Sequence, residues 1–189
     1  MISVNDFRPG LTFQYEGNIY AVVEAQHSKS GRGQAHVKTK VKNLRSNATT
    51  MITFTGGDKV EKAMIDKVEM QYLYDDGANV IFMDTQSYEQ LEVPSSRLTW
   101  EKNFLKEGIM VSVTKYDGEV LGIILPDKVD LIITEAEAAV KGDTSSGAMK
   151  KAVLETGLEL QVPLFIKEGE LITVSTSDGK YSGRAEKIK

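Results

Sequence analysis

The sequence predicts an all-β protein made of small barrels. Three observations carry that prediction. Short runs of alternating apolar and polar residues dominate the chain, Gly-bearing turn dipeptides separate them, and no long segment keeps helical spacing. Many short strands with regular turns favour barrels over one α/β domain. The chain has 189 residues, 41% hydrophobic and 26% charged. That apolar content supports real cores and excludes a disordered chain. The length alone suits one or two domains, and small barrels permit three.

Taken in order, the first run covers residues 20–25. In the next, Ala35, Val37, Thr39 and Val41 alternate with His36, Lys38, Lys40 and Lys42. A period of two sends the first set to a buried face and the basic set to the other. Further strands are expected at 71–74, 79–84, 88–93, 110–115, 120–125, 129–134, 159–166 and 171–175. Between them fall Glu16-Gly17-Asn18, Gly56-Gly57, Asp75-Asp76-Gly77, Asp117-Gly118 and Asp178-Gly179, where glycine supplies the positive φ of tight hairpins. Trp100, Phe104 and Leu105 predict a short helix over 100–106, with Trp100 and Phe104 in a core. Residues 135–141 are helix-friendly in composition but brief. Pro163 inside a strand pattern marks an edge strand or a bulge. Tyr116-Asp117-Gly118 through Gly122 echoes Ser177-Asp178-Gly179 through Gly183 at an offset of 61 residues. Two barrels of that size, preceded by a third, give domains at 1–64, 65–127 and 128–189.

Charge is uneven. The formal net charge is −4. Residues 1–50 hold seven basic side chains against three acidic ones, net +4, which leaves −8 on the other 139. From His27 to Arg45 there are six Lys or Arg and no acid. A basic strip on an acidic protein fits one directed contact with a polyanion, or simply a solvated strand face. The chain has no Cys, which excludes disulfide scaffolds, Cys–zinc sites and thiol nucleophiles and fits a reducing cytoplasm. With only His27 and His36, a three-His metal site is excluded, and no metal or other cofactor is expected. The first residues contain no long apolar segment of signal-peptide type. The longest apolar stretch, 120–125, is far too short to cross a bilayer, so no membrane partner is expected. No large apolar patch can be inferred, and a monomer is expected.

One loop stands out. Lys29, Ser30, Gly31, Arg32, Gly33 and Gln34 join two strands without a large apolar residue. Gly31 and Gly33 let the backbone turn sharply and leave Arg32 with nothing to pack against. A guanidinium there offers five donors in a planar fork suited to phosphate and base edges. An arm of this kind holds that group ~20 Å beyond a barrel at ~3.3 Å per residue. The plain alternative is an ordinary hairpin tip. A dinucleotide fingerprint is rejected, because His36 stands where its third glycine belongs and a strand follows instead of a helix. His27 and His36 flank the loop without a third metal ligand.

These residues together resemble the bacterial translation elongation factor P family over essentially the whole chain. The resemblance rests on Ser3-Val4-Asn5-Asp6-Phe7-Arg8-Pro9-Gly10 and on the Gly-basic-Gly tip followed by Lys38-Thr39-Lys40-Val41-Lys42-Asn43. It also rests on Gln71-Tyr72-Leu73-Tyr74, Phe82-Met83-Asp84 and Lys141-Gly142-Asp143-Thr144-Ser145-Ser146-Gly147. Most specific is Lys150-Lys151-Ala152 with Gly157, Leu160, Val162-Pro163, Ile166 and Gly169. The resemblance implies a KOW/SH3-like barrel followed by two OB-fold barrels in an L-shaped, tRNA-like arrangement. It implies a non-enzymatic factor that binds both ribosomal subunits between the peptidyl- and exit-tRNA sites. That factor relieves stalling at consecutive prolines, with Arg32 at the CCA end of peptidyl-tRNA.

By the same resemblance Lys38, Lys40, Lys42 and Arg45 contact tRNA or rRNA, and so do Tyr181 and Arg184. The loop with Gly142, Asp143, Thr144 and Gly147 faces the small subunit and the exit-site codon. The family's usual tip is a modified Lys. A branch with Arg receives a rhamnose from a rhamnosyltransferase, whereas Gly33-Gln34-Ala35 looks more like the Lys branch. The sequence leaves Arg32 glycosylated, otherwise modified or bare. The C-terminal motif Tyr181-Ser182-Gly183-Arg184 departs from the family where a bulkier residue usually precedes the Arg, and a Lys-rich tail follows it. The rival reading is a general RNA-binding or ribosome-assembly module. No convergent catalytic constellation supports an enzyme.

Overall fold

A computed structural model of the chain describes residues 1–29, 31–138 and 148–185. It contains three antiparallel sheets and only short 3-10 turns besides. The chain divides into two compact units, one of Met1–Lys67 with Thr114–Gly122, the other of Val68–Val113 with the rest.

The first sheet contains β1 (Ile2–Ser3), β2 (Thr12–Tyr15), β3 (Asn18–Ser28), β4 (His36–Asn43), β5 (Thr49–Thr55) and β6 (Lys59–Lys62). Their order is β1-β6-β2-β3-β4-β5. Glu16 and Gly17 both take positive φ, 48° and 79°, as a two-residue hairpin between twisted strands requires. Phe13 is fully buried at the centre of this unit. Phe7 stacks on it at 4.7 Å, with Tyr20 at 5.7 Å and Phe54 edge-on at 6.0 Å. The far end of a later hairpin, residues 114–122, belongs to the same unit. There Leu121 packs with Ile19 and Ala63, and the Tyr116 hydroxyl accepts a hydrogen bond from Gln14 Nε2.

One polar atom sits inside this core without a partner among the described residues, the Thr39 hydroxyl. Thr39 is fully buried on the inner face of β4. A buried hydroxyl without a hydrogen bond costs about 1–3 kcal/mol. Thr39→Val keeps the shape and removes that cost. We expect urea unfolding to shift upward by about 1 kcal/mol; an unchanged or lower midpoint would show that the hydroxyl is satisfied in solution.

The second sheet contains β7 (Asp66–Asp75), β8 (Asn79–Met83), β9 (Gln90–Pro94), β10 (Met110–Tyr116) and β11 (Glu119–Ile124). Its order is β11-β10-β7-β8-β9. In its first turn Asp76 Oδ1 accepts the N–H of Ala78 and of Asn79 at 2.9 and 2.7 Å. These bonds hold that carboxyl below its ordinary range. The third sheet contains β12 (Lys128–Ala136), β13 (Met149–Leu154), β14 (Glu159–Pro163), β15 (Leu171–Ser175) and β16 (Tyr181–Arg184), in the order β14-β13-β12-β15-β16. The edge strands β14 and β16 approach each other and close it.

The two orders are the same when one is read backward. In each, the first strand is central, the second and fourth flank it, and the third and fifth lie outside. The 61-residue echo marks equivalent hairpins, β10–β11 and β15–β16. The connections differ. Residues 95–109 form a long link in the second sheet, and their 3-10 turn Glu101–Phe104 inserts Phe104 into the third sheet's core. Trp100 donates its indole N–H to the Thr176 carbonyl at 3.0 Å. Thr156 donates its hydroxyl to the Asn103 carbonyl at 2.6 Å. Gly179, at φ +73°, leaves room for Trp100: a Cβ there would stand 3.1 Å from the indole.

Several expectations change. The helix at 100–106 is a four-residue 3-10 turn. Phe104 is core, but Trp100 is 42% exposed, lying edge-on against Phe104 at 5.2 Å with its N–H bonded to Thr176. Glu135 and Ala136 end β12 after a register shift at Ile133 and start no helix. Pro163 closes the edge strand β14, as a residue without an N–H should.

A basic strand face and its tip

The candidate nucleic-acid site is built on β3, β4 and β5. The pairing puts Ser28 opposite His36, Gln26 opposite Lys38 and Glu24 opposite Lys40. On the other side Thr53 stands opposite Lys38, Met51 opposite Lys40 and Thr49 opposite Lys42. Val37, Thr39 and Val41 are buried, whereas His36, Lys38, Lys40 and Lys42 are exposed. The alternation read from the sequence is thus the physical division of β4. Successive lysine Cα atoms stand about 7 Å apart along the strand. None of these three lysines is ion-paired among the described residues. Glu24 is the acid on this face; it accepts a hydrogen bond from Gln26 Nε2 at 3.3 Å. No signal in the linear charge run reveals it, because it lies before His27 and reaches the strip through hairpin register.

The expected two-stranded arm differs in one respect. β5 runs beside β4 from His36–Thr55 to Lys42–Thr49, so the lysines lie on a three-stranded sheet. The span beyond it is the loop after Ser28. Lys29, Gly31, Arg32, Gly33 and Gln34 are all exposed, and nothing stands within 4 Å of a Cβ added at Gly31. Ser30 lies outside the described residues.

The root of this loop is clamped. Gly56 donates its N–H to the Ala35 carbonyl at 2.7 Å. A Cβ on Gly56 would stand 2.8 Å from Ala35 Cβ and 3.1 Å from that carbonyl oxygen. Gly56→Ala therefore forces the loop root outward, and overpacking of this kind costs about 1–3 kcal/mol. The loss should appear in a urea melt and be partly recovered by adding Ala35→Gly. An additive double variant would show that the contact does not govern the root. The sequence marks Gly56-Gly57 only as a turn; its role at the tip emerges from the fold.

Arg45 leaves the strip. It follows β4 in a turn organised by Asn43, whose Oδ1 accepts the N–H of Arg45 and Ser46. Its guanidinium donates to the Gly17 carbonyl at 3.0 Å and meets Glu119 at 3.2 Å. In the other unit, Tyr181 packs half-buried against the third core. Arg184 is exposed beside it on β16, stacked on Phe165 and paired with Glu170. The first and third sheets therefore hold their basic candidates on separate strands. Gly142, Asp143, Thr144 and Gly147 lie outside the described residues. No cluster of metal-ligating side chains occurs among the described residues, and no described helix is long and apolar enough to cross a membrane.

The arrangement offers a row of cations and a planar donor group. It suits binding to a polyanion. Comparison with known proteins identifies the family. Sequence models match three successive segments: the elongation factor P KOW-like domain at residues 3–60, the elongation factor P OB domain at 65–123, and the elongation factor P C-terminal domain at 129–184. An elongation factor P of Mesoplasma florum is 61% identical over 185 residues, 98% of this chain and all of the relative. One from Mycoplasma mycoides subsp. mycoides is 60% identical over 184 residues, 97% of this chain and all of the relative. Among solved structures, a eukaryotic translation initiation factor 5A from Methanococcus jannaschii shares the fold at a TM-score of 0.54. It is 24% identical and covers 65% of this chain and 92% of its own. A KOW-like sheet, two sheets of one repeated topology, and full-length relatives above half identity lead to one assignment: the chain belongs to the elongation factor P family.

Proposed function

We propose that this translation factor promotes peptide-bond formation at consecutive prolines by presenting Arg32 to the CCA end of peptidyl-tRNA. It does so from a position between the peptidyl- and exit-tRNA sites. The observation that carries this reading is the pairing of an exposed, unpacked Arg32 with a row of lysines on the adjoining strand that have no ion-pair partner among the described residues. The lysines supply sequence-independent attraction to phosphates. The clamped loop root aims the guanidinium. Proline is a constrained nucleophile, and holding the peptidyl-tRNA end in an attack-ready pose lowers the entropic part of the barrier. Each ~1.4 kcal/mol recovered is a tenfold rate gain. The chain contributes position, and the bond-forming chemistry stays with the ribosome.

In this reading the ribosome and peptidyl-tRNA are the partners, in the cytoplasm. Tyr181 and Arg184 add contacts from the third barrel, and the loop with Gly142, Asp143, Thr144 and Gly147 faces the small subunit. Arg32 is the site for any modifying enzyme, including a rhamnosyltransferase. A cell-free translation assay tests the proposal. The protein should restore synthesis of a Pro-Pro-Pro reporter and hardly change a proline-free control. Equal stimulation of both would favour a general RNA-binding role instead.

A further inference from the structure

The third barrel carries an aromatic ring that its core does not use. Phe165 follows β14 in a turn and is 55% exposed, an uncommon place for a phenyl group. The guanidinium carbon of Arg184 stands 4.6 Å from its centroid. Arg184 Nη2 also meets Glu170 Oε1 at 3.5 Å. The other oxygen of Glu170 is buried and has no hydrogen-bond partner among the described residues, so this carboxylate spends its satisfied side on Arg184. The guanidinium is held over its face by a ring and at its edge by a carboxylate.

That arrangement has a chemical consequence. A free arginine gives up much of its rotamer freedom when it is ordered on a ligand. Stacking removes part of that cost in advance, and it occupies the π face while leaving edge N–H donors available. The Arg184 side chain is 56% exposed. Its planar fork matches the oxygens of a phosphate. Glu170 lowers the local charge, so the group gains direction more than long-range attraction.

We propose that Phe165 is a positioning residue that holds Arg184 as a fixed phosphate-binding fork on the third barrel. The inference rests on the proposed reading of Arg184 as an RNA contact. Its test uses the full-length protein with ribosomes stalled at consecutive prolines, and measures affinity at several salt concentrations for R184A, F165L, F165Y and the double variant F165L/R184A. Leu keeps apolar bulk but loses the ring quadrupole, whereas Tyr keeps it.

R184A should weaken binding about tenfold, as loss of a charge-assisted hydrogen bond does, and lower the salt slope by about one. F165L should weaken it about threefold, the scale of an exposed cation–π contact. F165Y should bind as the parent does, and the double variant should be no weaker than R184A alone. The ring-current shift of the Arg184 δ-protons should disappear in F165L and persist in F165Y. Parent-like binding by F165L beside a weakened R184A overturns the positioning role alone. So does a double variant whose loss is the product of the single losses. Parent-like binding by R184A removes the RNA reading of that residue and the proposal with it.

Discussion

Arg32→Ala is expected to abolish rescue of a Pro-Pro-Pro reporter while leaving the fold untouched. The two halves of this expectation have separate physical grounds. Arg32 is exposed and packs on no core, so its truncation should move stability by no more than about 0.5 kcal/mol. Far-UV circular dichroism and the thermal midpoint should match the parent. The functional loss is large because a charge-assisted hydrogen bond contributes about 1.5–3 kcal/mol. Two such bonds at the CCA end correspond to a rate factor on the order of 10² to 10⁴. Arg32→Lys separates charge from shape: it retains the cation but not the planar fork, and should recover only part of the rescue. Full rescue by Arg32→Ala would end the tip mechanism. An intact mass of the native Arg32 peptide settles its covalent state, and an unmodified mass removes glycosylation.

How much of this could be read from the linear chain depends on which residues face inward. β4 was legible because from His36 to Lys42 every inward position is Val or Thr and every outward one is His or Lys. β5 was not: its run Thr49-Thr50-Met51-Ile52-Thr53-Phe54-Thr55 mixes threonines on both faces, and an edge strand with one buried residue leaves almost no period. In β13, Lys150 sits on the inward face with 9% exposure, which breaks the alternation. β16 contains Gly183 and has no fully buried residue. The helix expected near Trp100 failed because aromatic spacing reports burial and not the hydrogen-bond pattern, and a four-residue turn suffices to plug a neighbouring barrel.

The candidate site divides along the same line. Lys38, Lys40 and Lys42 share a face by strand period alone, and glycines on both sides announce the tip. Glu24, Gly56 and Phe165 reach their places only through pairings distant in sequence. Arg45, counted with the strip in a linear charge sum, is turned toward Glu119 by the Asn43 turn. Local chemistry was therefore readable, and the contacts that orient it were not.

The largest stability effect is expected at Phe13. Its ring is fully buried and touches three aromatic neighbours, Phe7, Tyr20 and Phe54. Phe13→Ala removes the ring's transfer free energy and leaves a cavity that those rigid neighbours fill poorly, a loss of about 3–5 kcal/mol. Tryptophan fluorescence is the wrong probe, because Trp100 lies in the other unit. Amide exchange at Val37 and Val41 reports directly on the first core. For globally exchanging amides, protection there should fall by a factor on the order of 10² to 10⁴. Phe13→Leu keeps most of the volume and should recover the larger part. A loss below about 1 kcal/mol for the alanine variant would mean that the first sheet collapses around the gap, and that its core is not the closely packed aromatic cluster that carries the lysine face.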